Sequence, residues 1–170
     1  MKHHALKLYD YHVWANQRLF QHLKALPAEA ITEQLNSVFP SVFEALVHIY
    51  TVDHVWLFTM RGDSFDKVRE AVGRIPEETK GKSIEEMERL FQGASDQYQA
   101  FFGQQSDLDA LKTYTHPHFG SLEARYADIV QHVVNHGTYH RGNITAMLRQ
   151  QGLAGVPTDY IFYLFDGNKQ

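Results

Sequence analysis

The chain has no cysteine among its 170 residues. That excludes disulfides, thiolate metal sites and a cysteine nucleophile, so any thiol chemistry would have to use a thiol brought in as a substrate. Long apolar runs are missing too. None approaches the roughly 18 residues that a membrane span needs. The first residues, M-K-H-H-A-L-K-L-Y-D-Y-H, lack the apolar core of a secretory signal. A cytoplasmic protein with no membrane partner is therefore expected. Basic excess is also absent: 16 Lys and Arg stand against 20 Asp and Glu, a formal net charge of −4. Binding to phosphate backbones needs a basic surface, so no nucleic-acid partner is expected.

What remains is an ordinary globular composition, 44% hydrophobic and 21% charged. Its length suits one well-buried core, and a single domain over 1–170 is expected. The plentiful residue is histidine, with 11 copies. At that density chance alone places on the order of one His pair four residues apart. Placement, not number, must therefore carry any argument about function.

Four long helical patterns run along the chain. From His4 to about Ala25, Leu6, Val13, Phe20 and Leu23 recur at helical spacing, and Pro27 follows. After a connection over 27–39 and Pro40, Ser41 and Glu44 are spaced as a capping box. Behind them Ala45, Ile49, Val52, Trp56 and Met60 form a stripe that Gly62 closes. Residues 62 to 82 read as a long crossing connection with at most one short element. Ser83 and Glu86 then open a third helix with Ile84, Met87, Phe91, Ala94, Tyr98 and Phe101, ending near Gly103. Pro117 and Gly120 lie between short segments rich in Thr, Tyr and Phe over 106–126, which suggests a small hairpin. A fourth helix spans Asp128 to Gln151, free of proline and followed by Gly152. Thr158 caps a short terminal helix whose Tyr160, Ile161, Phe162 and Leu164 should pack on the rest. The expected fold class is all-α, a four-helix bundle with a hairpin before its last long helix.

His132, His136 and His140 lie along one side of the fourth helix. With Ile129 at zero and roughly 100° per residue, His136 and His140 fall near −20° and 20°, within the apolar stripe. His132 falls near −60°, on its edge. Buried imidazoles need partners. A hydrogen bond or carboxylate could serve, or one metal ion could satisfy both, since ring nitrogens at i and i+4 can converge. A third ligand would come from another helix. His48, at the border of the second stripe, is the first candidate and His12 the second. His54 faces elsewhere and should be exposed or paired. His3, His4, His22, His116 and His118 read as surface residues. Glu44, one turn before His48, is within range to accept from its ring. Gly142 inside the helix suggests close approach of another helix, from this chain or a second subunit. Arg141 suits an anionic substrate or a surface carboxylate. Tyr139 and Asn143 line the site or pack beside it, and Trp14 and Trp56 read as core.

Three stretches together resemble a known family. N-H-G-T-Y-H-R-G-N-I at 135–144, D-Y-H-V-W-A-N-Q-R-L at 10–19 and H-I-Y-T-V-D-H-V-W-L at 48–57 are similar, in order and separation, to the signatures of DinB/YfiT-like proteins. The resemblance implies a four-helix bundle with a divalent ion held by His48, His136 and His140, and a homodimer. It leaves His132 outside the ligand set, and it treats Asn143 in place of a frequent Gln as of little consequence. The DinB branch is named for induction by DNA damage. Related branches include bacillithiol S-transferases and a mycothiol-dependent maleylpyruvate isomerase, in which the metal activates a small thiol.

A metal-dependent transferase that activates a low-molecular-weight thiol and directs it at a small-molecule electrophile is thus the first expectation. A metal-dependent hydrolase is the alternative within catalysis. A metal-binding protein of the DNA-damage or stress response, without catalysis, is the alternative outside it. Imidazoles suit zinc, nickel, iron and copper, so the ligands do not name the metal. Zinc or nickel stand first, iron or manganese next.

Overall fold

A computed structural model of the chain describes residues 2–167. Along the chain come α1 (His4–Lys24), α2 (Ala28–Thr32), α3 (Val42–Arg61), α4 (Phe65–Gly73), α5 (Ile75–Thr79) and α6 (Ile84–Gly103). Then follow β1 (Leu111–His116), β2 (Gly120–Arg125), α7 (Tyr126–Gln150) and α8 (Tyr160–Gly167). The long helices α1, α3, α6 and α7 form the expected all-α bundle. Both α1 and α3 pack against α6 and against α7, so α1 and α3 lie on one diagonal.

Local chemistry sets most of the boundaries. At α6 the Glu86 N–H donates to Ser83 Oγ at 3.3 Å, and the Ser83 N–H donates to Glu86 Oε2 at 2.8 Å. Each bond satisfies a donor that the helix leaves free. At α3 the Glu44 N–H donates to Ser41 Oγ at 3.2 Å, but the Glu44 side chain stays exposed and does not complete the box. Gly62 and Gly152 end α3 and α7 at φ +88° and +76°, where a Cβ would be strained. The hairpin pairs Leu111 with Arg125 through His116 with Gly120.

Three details differ from the sequence reading. The 62–82 connection holds two short helices, α4 and α5, seated by the buried Val68 and Ile75. In α8 the inward residues are Tyr160 and Tyr163, which meet Tyr11 at ring distances of 5.1 and 5.9 Å. Ile161 and Phe162 face solvent, because an eight-residue helix laid on α1 buries only one narrow face. Trp14 and Trp56 are half-buried at the rim of the core and not inside it.

The apolar core has two halves. One gathers Leu19, Leu23, Leu46, Ile49, Met87, Ile144 and Met147. The other gathers Tyr9, Leu57, Met60, Tyr98, Ile129 and Val133. Burying each large aliphatic side chain contributes about 1.5–3 kcal/mol. Between the halves lies a buried polar layer of His12, Asn16, Asp53 and Arg141. Its members come from α1, α3 and α7, and α6 joins through Tyr98, whose hydroxyl donates to the Asp53 carbonyl at 2.7 Å.

Candidate metal centre

Where α3 packs on α7, three imidazoles meet. His48 comes from α3, while His136 and His140 occupy successive turns of α7. The His48 Nε2 lies 3.1 Å from His136 Nε2 and 3.2 Å from His140 Nε2. A tetrahedral ion with Zn–N bonds of about 2.0–2.1 Å spaces its ligand atoms by roughly 3.3 Å. The three nitrogens are therefore nearly at coordinating separation. The group could hold a metal ion.

The electrostatics favour the protonation state that ligation requires. Burial pushes His136 down to about 4, and the neighbouring His140 and His48 push in the same direction. Burial likewise lowers His48, and burial followed by the His48 charge lowers His140. All three rings are then neutral at pH 7, as metal binding demands. They are half-buried, not fully enclosed, because the 136–140 row borders solvent on one flank. Phe39 lies over the cluster, with ring centroids 5.1 Å from His48 and 5.3 Å from His140.

Asn143 has a more definite role than packing. Its amide nitrogen Nδ2 lies 3.2 Å from His140 Nδ1. When Nε2 serves as a ligand, Nδ1 carries the proton, and the amide, turned over about its last bond, presents its oxygen to accept it. Tyr139 is exposed beside His140, its ring 5.0 Å away.

The other histidines are committed elsewhere. His132 is exposed and packs edge-on against Trp56 at 4.8 Å, outside the cluster as expected. His54 is buried, and its Nδ1–H donates to the Tyr50 carbonyl at 2.9 Å, so of the two expectations pairing is correct and exposure is not. His12, the second candidate ligand, instead places Nε2 3.0 Å from Asp53 Oδ2 in the polar layer. Glu44 is exposed and forms no hydrogen bond or ion pair with His48.

A sequence model of the DinB family matches residues 1–169. The chain belongs to the DinB family. It is 44% identical over 165 residues to Protein DinB of Bacillus subtilis (strain 168), covering 97% of this chain and 96% of that protein. It also resembles the crystal structure of a DinB-like protein from Bacillus cereus ATCC 10987. That likeness has a TM-score of 0.62 over 90% of this chain and 94% of the other, at 18% identity, and bears on the fold alone.

Within this DinB-family bundle, sequence reasoning missed the polar layer behind the histidines. Arg141 faces neither a surface carboxylate nor solvent; it is 1% exposed. Its Nη1 donates to Asn16 Oδ1 at 2.8 Å and its Nη2 to Thr138 Oγ1 at 2.9 Å. The same Nη1 lies 3.4 Å from His12 Nδ1. A guanidinium can only donate, so Nδ1 accepts, and the His12 proton sits on Nε2, where it is donated to Asp53. Gly142 has nothing within 4 Å of a built Cβ, so among the described residues no other segment packs closely on it. The close approach is at Gly137, whose Cβ would stand 2.4 Å from His12 Cε1. One signal for Asp53 was available. It falls about 40° from Ile49 on the α3 wheel, inside the apolar stripe.

Proposed function

We propose that the chain is a metal-dependent enzyme that activates a low-molecular-weight thiol for transfer to an electrophile, with His48, His136 and His140 holding one divalent ion. The observation that carries this reading is the convergence of three ring nitrogens with no fourth His, Asp or Glu in the cluster among the described residues. Three imidazoles leave a coordination position for an outside molecule, the pattern of a catalytic site. A divalent ion bound there supplies Lewis acidity and lowers the pKa of a protic group beside it. The chain's own residues hold and orient. Asn143 keeps the His140 ring turned inward, and Phe39 shields the His48 and His140 rings from water on one side. Tyr139 offers an exposed ring and hydroxyl to an arriving molecule. Because the chain has no cysteine, the sulfur comes from the cosubstrate.

Hydrolysis has weaker support, since it needs a general base near the ion. Glu44 is exposed, and Asp53 is engaged by His12. The test is to load protein purified without an affinity tag, confirm one metal per chain by elemental analysis, and assay small thiols with a chromogenic electrophile. Turnover should be lost in His140→Ala. Equal turnover in both proteins removes the enzymatic reading. Stoichiometric metal with no turnover of any thiol leaves a metal-binding protein without catalysis.

A further inference from the structure

Three buried side-chain atoms lack partners on the two helices that frame the histidine cluster: Asp53 Oδ1, an acceptor, on α3, and His136 Nδ1 and Arg141 Nε on α7. Of the two on α7, His136 Nδ1 is the one that belongs to the cluster. The His136 Nε2 points at His48, so whenever Nε2 serves as a ligand the ring proton resides on Nδ1. That nitrogen is then a buried donor with nothing to receive its proton. Asp53 presents the opposite case. Its Oδ2 takes the His12 bond at 3.0 Å, while its Oδ1 is a buried carboxylate acceptor without a donor. The carboxylate also acts electrostatically on the His136 ring, favouring its protonated form against the pull of burial. A buried acceptor and a buried donor left apart would each cost free energy that a bond between them recovers.

We propose that Asp53 is a positioning residue for the metal centre, its Oδ1 accepting the His136 Nδ1–H and so holding Nε2 toward the ion. The inference rests on the three-histidine reading above. It gives the buried polar layer a purpose, because each member sets the next. Arg141 donates toward His12 Nδ1 and thereby fixes the tautomer in which Nε2–H faces Asp53. Asn16 accepts from Arg141 and holds it in place. Asp53 is thus anchored through Oδ2 from α1, leaving Oδ1 for α7. A carboxylate behind a ligating imidazole raises the ring's basicity and restricts its rotation, and losing such a partner commonly costs 10- to 100-fold in metal affinity.

The test measures zinc affinity by competition with a chromogenic chelator, and the visible spectrum of the cobalt-substituted protein. The full chain is used as wild type, Asp53→Asn and Ser95→Ala. Ser95 is a buried polar residue of α6 and is not one of the clustered histidines, so it controls for general loosening of the core. Asp53→Asn should bind zinc at least 10-fold more weakly, with an altered cobalt spectrum, while Ser95→Ala stays within twofold of wild type. If Asp53→Asn folds and binds within twofold of wild type, the inference is overturned; so it is if Ser95→Ala loses as much affinity. If wild type binds no zinc, the three-histidine reading itself fails. Should Asp53→Asn not fold, nitrogen-15 histidine spectra of zinc-loaded wild type decide. A slowly exchanging, downfield His136 Nδ1–H supports the bond, and a rapidly exchanging one overturns it.

Discussion

Two glycines on α7, five residues apart, should respond to the same substitution with opposite sign. At Gly137 an added Cβ would stand 2.4 Å from His12 Cε1, 2.7 Å from His12 Nδ1 and 2.9 Å from Arg141 Nη1. Ordinary carbon contacts lie near 3.5–4.0 Å, so something must move by about 1 Å. Neither neighbour is free to do so. His12 and Arg141 are each 1% exposed, and His12 is bonded to Asp53. Either α7 backs away from α1, or the His12 ring leaves its carboxylate. Overpacking of this kind costs about 1–3 kcal/mol. Breaking a hydrogen bond to a charged group costs about 1.5–3 kcal/mol more. Alanine returns about 1 kcal/mol of helix propensity. Gly137→Ala should therefore destabilise by about 1.5–5 kcal/mol when these terms combine. In a chain of this size that corresponds to a melting temperature lower by roughly 3–20 °C. At Gly142 nothing lies within 4 Å of a built Cβ, so Gly142→Ala should stabilise by about 0.5–1 kcal/mol. Urea unfolding followed by far-ultraviolet circular dichroism gives both values. If the two midpoints move in the same direction, the packing of His12 against Gly137 described above is wrong.

Acid should weaken the metal-free protein through its histidines. Burial holds His136 near 4 in the folded chain against 6.5 for a free ring. Between those values the unfolded chain binds a proton that the folded chain does not, so stability falls as pH drops through that window. A urea midpoint at pH 5 that equals or exceeds the one at pH 7 would contradict this. Ser83→Ala removes the oxygen that accepts from the Glu86 N–H and should cost about 1 kcal/mol, read as a lower urea midpoint with an unchanged slope. Tyr98→Phe leaves the buried Asp53 carbonyl without the hydroxyl that donates to it, and should cost about 1–3 kcal/mol in the same assay.

The contrast between histidines and glycines shows what was legible from the residues alone. His48, His136 and His140 were picked out by helical phase and by likeness to a motif, and they converge in the folded chain. The α1 stripe was misjudged by comparison. Leu6, Val13, Phe20 and Leu23 suggested one face, yet Leu6 and Val13 are only half-buried. The buried face instead centres on Tyr9, His12, Asn16 and Leu23. Two polar residues hold the middle of that face, so a count of apolar positions was drawn toward its rim. The same thing happened on α3, where Asp53 is buried while Val52 and Trp56 are half-buried.

By itself the sequence determined the four long helices, the serines that cap two of them, the hairpin and the row of histidines. These depend on neighbours within a few residues: a serine and the amide three positions on, or rings four positions apart on one helix. Only the tertiary structure decided that Asp53, Asn16 and Arg141 belong inside. Each is a residue type found mostly at the surface, and burying it becomes tolerable through partners distant in sequence. Asp53 meets His12 across 41 positions, and Arg141 meets Asn16 across 125. A charge written in the chain is the same letter whether water or a buried partner satisfies it. The packing of four helices makes that choice.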